Sequence, residues 1–363
     1  MTRRMGSEYM EWAKTRPHAR LDLGVSGLPD VPLAELPVRL EDLELTAPGA
    51  YGYPPLLERL AARLDVPRDC VVTATGASMA NYLALDALLD PGDDVLIEDP
   101  TYELLVSAAE HVGARVVGFS RAAPDFALDP AAVARVLTPR TRLVVLTNLH
   151  NPSSALADEG ALREVQALAR RAGARVLVDE VYLETLYDRR PWRSAFHLGP
   201  EFVATGSLTK AFGLSGLRCG WVLAEPELAR RIFRLNDLFG VNLAHAAERL
   251  SVAALDHLDR LAARARALLD ANRPLLHRFL DSRSDLECAR PEFGTVLFPR
   301  LVGGRVEELC ALLRERHETC VVPGRFFGRP EHFRVGISAP TPTLAEGLDR
   351  LGRALDERAV RPS

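Results

Sequence analysis

The chain has 363 residues, 47% apolar and 26% charged, which excludes the disordered, collagen-like and disulfide-scaffold classes. A net charge of −4 offers no basic face for displacing counterions, so no nucleic-acid partner is expected. Of 45 basic residues, 43 are arginine and two, Lys14 and Lys210, are lysine. Such a bias removes lysines that serve only as charge. A lysine that remains in a Gly-rich, apolar setting stands out for its amine, which can lose a proton and attack a carbonyl as guanidinium cannot. Lys14, among Trp12, Arg16 and His18, reads as a solvated charge.

The length suggests roughly two domains. Five cysteines, with no C-x-x-C spacing, indicate neither a disulfide framework nor a metal site, and a reducing cytoplasm is the expected location. The opening MTRRMGSEYMEWAK has early positive charge but no apolar run after it, so it does not read as a signal peptide. No stretch approaches the roughly 20 apolar residues needed to span a bilayer.

From Val71 onward, short β-branched runs alternate with helical stretches. The spacing predicts strands over Val71–Thr75, Asp94–Glu98, Arg115–Phe119, Arg142–Thr147, Arg175–Asp179, Phe202–Gly206 and Arg218–Leu223. Helices are expected over Ala77–Leu89, Tyr102–Val112, Pro130–Leu137 and Asp158–Ala172. This alternation argues for an α/β fold with a mainly parallel sheet flanked by helices. A Leu- and Ala-rich region, Leu243–Leu280, reads as one or two long helices. A smaller α+β pattern follows, with strands near Thr295–Pro299 and Phe333–Ile337 and helices over Arg305–His317 and Leu344–Glu357. The expected division is a large domain over 36–250 and a smaller one from 1–35 and 251–363.

Five segments carry chemistry. In Thr75-Gly76-Ala77-Ser78 a strand gives way to a helix, whose first N–H groups and serine hydroxyl suit either an anion or a simple cap. Asn148-Leu149-His150-Asn151-Pro152-Ser153 follows an apolar strand, where Asn151 is placed to donate to a ligand. In Asp179-Glu180-Val181-Tyr182, Asp179 ends a strand that should be buried, so its carboxylate needs a partner or a cationic ligand. Glu180 should face away from it. Ser207-Leu208-Thr209-Lys210 through Arg218 places the conspicuous lysine between a strand end and a Gly-rich loop, without a P-loop or a G-x-G-x-x-G fingerprint. Finally, Arg334 interrupts the apolar strand Phe333–Ile337. It either pairs with a buried acid or awaits a carboxylate ligand.

Together and in this order, the segments resemble the class I/II aminotransferases, fold-type-I pyridoxal-phosphate enzymes, from Leu23 to about Leu355. The Ser207–Arg218 stretch is similar to that family's Schiff-base signature, Asp179–Tyr182 to its D-E-x-Y element and Asn151-Pro152 to its N-P-[ST]-G element. The resemblance implies pyridoxal 5′-phosphate as cofactor, bound covalently by Lys210. It implies that Asp179 pairs with the pyridine nitrogen, Tyr182 and Asn151 hydrogen-bond the phenolate oxygen, and Tyr102 stacks on the ring. Ala77, Ser78, Ser207 and Arg218 would bind the phosphate, with Tyr51 reaching it from the partner subunit of a homodimer. Arg334, with Asn151, would bind the substrate carboxylate. Lys210, Asp179 and Tyr182 are the implied catalytic set.

The expected activity is amino transfer between an amino acid and a 2-oxo acid. The alternative is another reaction at Cα or Cβ on the same scaffold: a decarboxylase, a lyase or a cyclising synthase. A cofactor-sensing regulator would need a DNA-binding module, and a nicotinamide oxidoreductase the missing glycine fingerprint. Ser154 stands where the family usually has glycine, and Leu149 where proline is common. Arg325, in Pro323-Gly324-Arg325-Phe326-Phe327-Gly328, either reads a polar substrate group or is an ion-paired loop arginine.

Overall fold

The computed structural model describes residues 4–47, 49–187 and 192–360, with the backbone alone at 359 and 360. The outermost residues of the expected small domain, 1–3 and 361–363, lie outside that range. A helix over Glu8–Thr15 and the short strand β1 (Leu21–Asp22) open the chain. Seven strands then alternate with helices: β2 (Val71–Thr75), β3 (Asp94–Asp99), β4 (Arg115–Ser120), β5 (Thr141–Thr147), β6 (Arg175–Asp179), β7 (Phe202–Ser207) and β8 (Cys219–Leu223).

These seven form one sheet in the order β2-β8-β7-β6-β5-β3-β4. The pairs β3/β4, β3/β5, β5/β6 and β6/β7 are parallel, and β8 runs antiparallel to both its neighbours. Central strands covered on both faces need apolar residues at successive positions. Val144, Leu146, Val176 and Val178 pack with Leu162, Val165 and Ala169 of the helix Glu159–Ala172. Leu143, Val145 and Leu177 point the other way, toward Leu83 and Leu85 of the helix Gly76–Leu88. The helix Glu159–Ala172 has chemically apt ends: Asp158 accepts from the Gly160 and Ala161 N–H groups, and Gly173 closes it at φ +69.

Most boundaries move by one to three residues from the sequence expectation, and one of these shifts bears on the site. Arg218 is not the first residue of β8. It closes the 3-10 turn Ser215–Leu217 in the left-handed region at φ +50, which turns its side chain toward the start of the helix Gly76–Leu88.

The Leu- and Ala-rich region forms two helices, His245–Leu255 and Leu258–Asp281, separated at Asp256 and His257. Beyond them come β9 (Leu286–Glu287), β10 (Val296–Leu297), β11 (Arg300–Leu301), β12 (Thr319–Cys320), β13 (Val322–Pro323) and β14 (Phe333–Gly336), with helices Val306–His317 and Thr341–Val360. β14 lies between β10 and β13, while β9 pairs with β11. The opening segment bridges the molecule. β1 pairs with β12, whereas Arg4, just ahead of the first helix, binds Glu103 at 2.6 Å and Glu110 at 2.8 Å on the helix Glu103–His111 beside the sheet. Among the described residues, no helix is long and apolar enough to cross a membrane.

Candidate active site

The carboxyl ends of β5, β6 and β7 fall at Thr147, Asp179 and Ser207, the side of an open α/β sheet where ligands bind. A cavity opens there. Of the residues expected at a site, Ala77, Ser78, Tyr102, Asn151, Asp179, Tyr182, Lys210 and Arg334 all line it.

Lys210 lies in the short helix Leu208–Phe212, which begins where β7 ends and is capped by the Ser207 side chain. Its Nζ donates to Ser26 Oγ at 3.0 Å, and Ser26 and Tyr182 line the same cavity. Burial lowers the pKa of this amine; the Arg334 and Arg218 cations push the same way, against Tyr9 and Asp179. Asp179 is buried, and burial pushes its carboxyl up, while donors hold it in place: Asn81 Nδ2 at 2.7 Å and the Val181 N–H at 3.0 Å. Asn81 is itself held by Thr205 Oγ1 at 2.5 Å. Strand alternation separates the neighbouring acids. Glu180 turns away from the cavity to accept from the Ala195 N–H at 2.6 Å, and burial pushes it up to about 8.

Arg334 is 1% exposed and has no acid beside it among the described residues. Its Nη1 donates to Asn151 Oδ1 at 3.1 Å, and its Nη2 to Tyr9 Oη at 2.9 Å and the Gly24 carbonyl at 3.2 Å; its Nε has no partner. Of the two readings of this arginine, the paired-acid one therefore fails. A buried guanidinium facing only neutral acceptors retains the capacity to bind an anion.

Ser207, Arg218 and Tyr51 do not line the cavity. The Ser207 side chain accepts from the Thr209 N–H at 3.4 Å, next to Lys210. Arg218 stands against the start of the helix Gly76–Leu88, donating to the Thr75 carbonyl at 3.4 Å. Gly76 is needed at that crossing: it has φ +76, and a Cβ there would sit 2.2 Å from the Arg218 guanidinium. Tyr51 is half exposed on the outer surface, where its hydroxyl donates to Asp237 at 3.0 Å. Arg325 points out of the turn Gly324–Phe327, lies over the Phe326 ring at 4.1 Å and approaches Glu307 at 3.9 Å, away from the cavity. Its position is that of an ion-paired loop arginine.

Sequence reasoning missed Tyr9, Ser26, Asn81, Thr147 and Val181, which also line the cavity. Asn81 was findable, one helical turn beyond Ser78 on the same face. Tyr9 and Ser26 come from the opening segment, and no local spacing announces them. Ser154, at the usual glycine position, adopts φ +63 and donates to the Val296 carbonyl at 2.7 Å. That hydrogen bond offsets the cost of a conformation glycine adopts freely.

The donor set fits pyridoxal phosphate. A half-buried amine of lowered pKa can bond its aldehyde, and a buried carboxylate can face its ring nitrogen. A helix first turn flanked by Arg218 can receive its phosphate. Comparison with known proteins gives the same answer. Residues 41–351 match the family model "Aminotransferase class I and II". The chain is 32% identical to capreomycidine synthase of Streptomyces vinaceus, over 96% of this chain and 93% of that one. It is 26% identical to aspartate aminotransferase of Streptomyces avermitilis, over 85% and 81%. Its structure superposes on a PLP-dependent aminotransferase from Streptococcus suis with TM-score 0.90, 25% identity and full coverage of both chains. It superposes on the PLP-dependent cyclase OrfR with TM-score 0.88, 27% identity and 99% coverage of both. The chain belongs to the class I and II aminotransferase family, whose members are pyridoxal 5′-phosphate-dependent enzymes.

Proposed function

We propose that this enzyme is an aminotransferase that moves an amino group from an amino acid to a 2-oxo acid, acting as a cytoplasmic homodimer. The observation that carries the reading is the convergence, in one cavity, of a half-buried amine, a buried carboxylate and a buried guanidinium without an anion. Pyridoxal phosphate, when bound, supplies an electron sink conjugated with the substrate's Cα.

The chain's residues do the rest. Lys210 would hold the cofactor covalently, and its amine would carry the proton from the substrate Cα to the cofactor's C4′. Asp179, oriented by Asn81, keeps a proton on the ring nitrogen. Tyr182 and Asn151 hold the phenolic oxygen, and Tyr102 covers one ring face. Ala77, Ser78, Ser207 and Arg218 hold the phosphate, and Tyr51 reaches it from a second copy of the chain. Arg334 binds the substrate α-carboxylate. The proposed domain division, 36–250 against 1–35 with 251–363, is supported by the seven-stranded sheet lying within the first part and by the pairing of β1 with β12 in the second.

The similarity to capreomycidine synthase favours a second reading, a cyclising synthase, because every cofactor-holding residue would be shared between the two. Asp179 is the one carboxylate lining the cavity among the described residues, so a cationic substrate side chain finds no counter-charge there. This supports a neutral or acidic amino acid as substrate. The test is a panel of amino acids with 2-oxoglutarate or pyruvate, followed by product analysis. Amino transfer yields a 2-oxo acid from the donor and a new amino acid from the acceptor. A product that keeps its nitrogen but has lost water or closed a ring would replace the first reading with the second.

A further inference from the structure

Resting on the reading of Arg334 as the carboxylate site, we propose that Tyr9 is a second substrate-binding residue, donating its phenolic hydrogen to the same carboxylate. Tyr9 lies on the opening helix Glu8–Thr15, is 8% exposed and lines the cavity. Its hydroxyl oxygen accepts from Arg334 Nη2 at 2.9 Å. A guanidinium has no acceptor to offer in return, so the Tyr9 O–H must point elsewhere. Among the described residues, no acceptor is recorded for it. A phenol already accepting from a cation is a stronger donor through its other side, since the two hydrogen bonds polarise one another. The Tyr9 O–H and the Arg334 guanidinium thus form adjacent donors on one wall of the cavity, a suitable pair for an anion with two oxygens.

The position of the phenol is secured from several sides. Its ring meets Tyr102 edge-on at 5.7 Å and Phe326 at 5.6 Å, with Phe327 at 5.9 Å. The helix is tied at one end by Arg4 to Glu103 and Glu110, and at the other by Arg16 to Asp22 at 2.7 Å. Glu103 directly follows Tyr102, so the tie and the cavity wall share one helix start. A donor held this firmly does not lose conformational entropy when the substrate binds.

The test compares Tyr9→Phe and Arg334→Lys in the cofactor-loaded enzyme. Two quantities are read: the Kd of a carboxylate that cannot react, and the Kd of the corresponding amine lacking a carboxylate. Phenylalanine keeps the ring contacts and removes only the hydroxyl, and an unchanged Tm verifies folding. The expected result for Tyr9→Phe is a carboxylate Kd raised about tenfold, as for loss of one hydrogen bond to a charged group, with amine binding unchanged. In turnover, KM for the amino acid rises while kcat stays within about twofold, the signature of lost uniform binding. If Tyr9→Phe binds the carboxylate like the wild type while Arg334→Lys does not, the Tyr9 role is wrong and the Arg334 reading stands. If neither variant changes carboxylate affinity, the site reading itself falls. If Tyr9→Phe weakens amine and carboxylate equally, the hydroxyl acts on cavity shape rather than on the anion, and the proposal is overturned.

Discussion

Lys210 and Lys14 are the same residue type in opposite settings, and the setting decides the chemistry. Lys14 is exposed at the end of the first helix, while Lys210 ends in a cavity against Ser26, with the Leu28 N–H bonded to its carbonyl at 3.1 Å. Burial favours the neutral amine, the form that can bond a carbonyl carbon. Replacing Lys210 by arginine keeps a cation and a long side chain but removes that capacity. Lys210→Arg is expected to show no absorbance band from covalently attached cofactor and no turnover, checked by spectrum and assay after reconstitution. Normal activity in that variant would defeat the assignment. Composition pointed to this residue because arginine replaces lysine wherever only charge is needed, as it does almost everywhere in this chain.

A buried polar network holds the loop after β5 that brings Asn151 to the cavity. Glu98, near the end of β3, and Arg121, just past β4, form an ion pair at 2.8 Å with both side chains fully buried. The second Glu98 oxygen accepts from the Thr147 N–H at 2.8 Å and from its hydroxyl at 2.6 Å, and Thr147 Oγ1 in turn accepts from the Asn151 N–H at 2.9 Å. Burial, reinforced by the Arg121 charge, pushes His150 far down, so it stays neutral between the Pro100 carbonyl and Ser153. Arg121→Met should therefore cost about 3–5 kcal/mol in denaturant unfolding, because it strands the Glu98 charge in the core. Adding Glu98→Gln should recover at least half of that loss, whereas a further loss would mean that the pair itself carries stability. None of this network is legible in the sequence, since its members lie on three elements that meet only in the sheet. The strands themselves are legible because two-sided burial demands β-branched runs, as in Arg142–Thr147 and Arg175–Asp179. The motif residues at their ends follow from that placement. Arg218 was misplaced because a turn residue in the left-handed region looks, in sequence, like the first residue of the strand it precedes.

At the scale of the whole molecule, the outer surface carries exposed apolar side chains: Leu40, Leu45, Tyr51, Leu238, Phe239 and Val241. In the proposed homodimer, Tyr51 would serve the neighbouring site. If each site takes Lys210 from one chain and Tyr51 from the other, mixing inactive Lys210→Arg with impaired Tyr51→Phe regenerates one intact site per mixed dimer. Activity after subunit exchange should then rise to about a quarter of the wild-type value. No rise, with exchange verified by labelled subunits, would mean that each site is complete within its own chain. The bridging opening segment has a consequence for the order in which the molecule becomes competent. The contacts that finish the cavity join residues far apart in the chain: 325 residues separate Arg334 from Tyr9, 183 separate it from Asn151, and 184 separate Lys210 from Ser26. During synthesis every strand of the seven-stranded sheet has emerged by Leu223, whereas the guanidinium arrives only with β14 and must then find a phenol made well before the sheet. Contacts of such long range form late in folding. The framework around Lys210 and Asp179 therefore matures before Arg334 is seated, and the helix Glu8–Thr15, made before the sheet, is among the last pieces to be set in place.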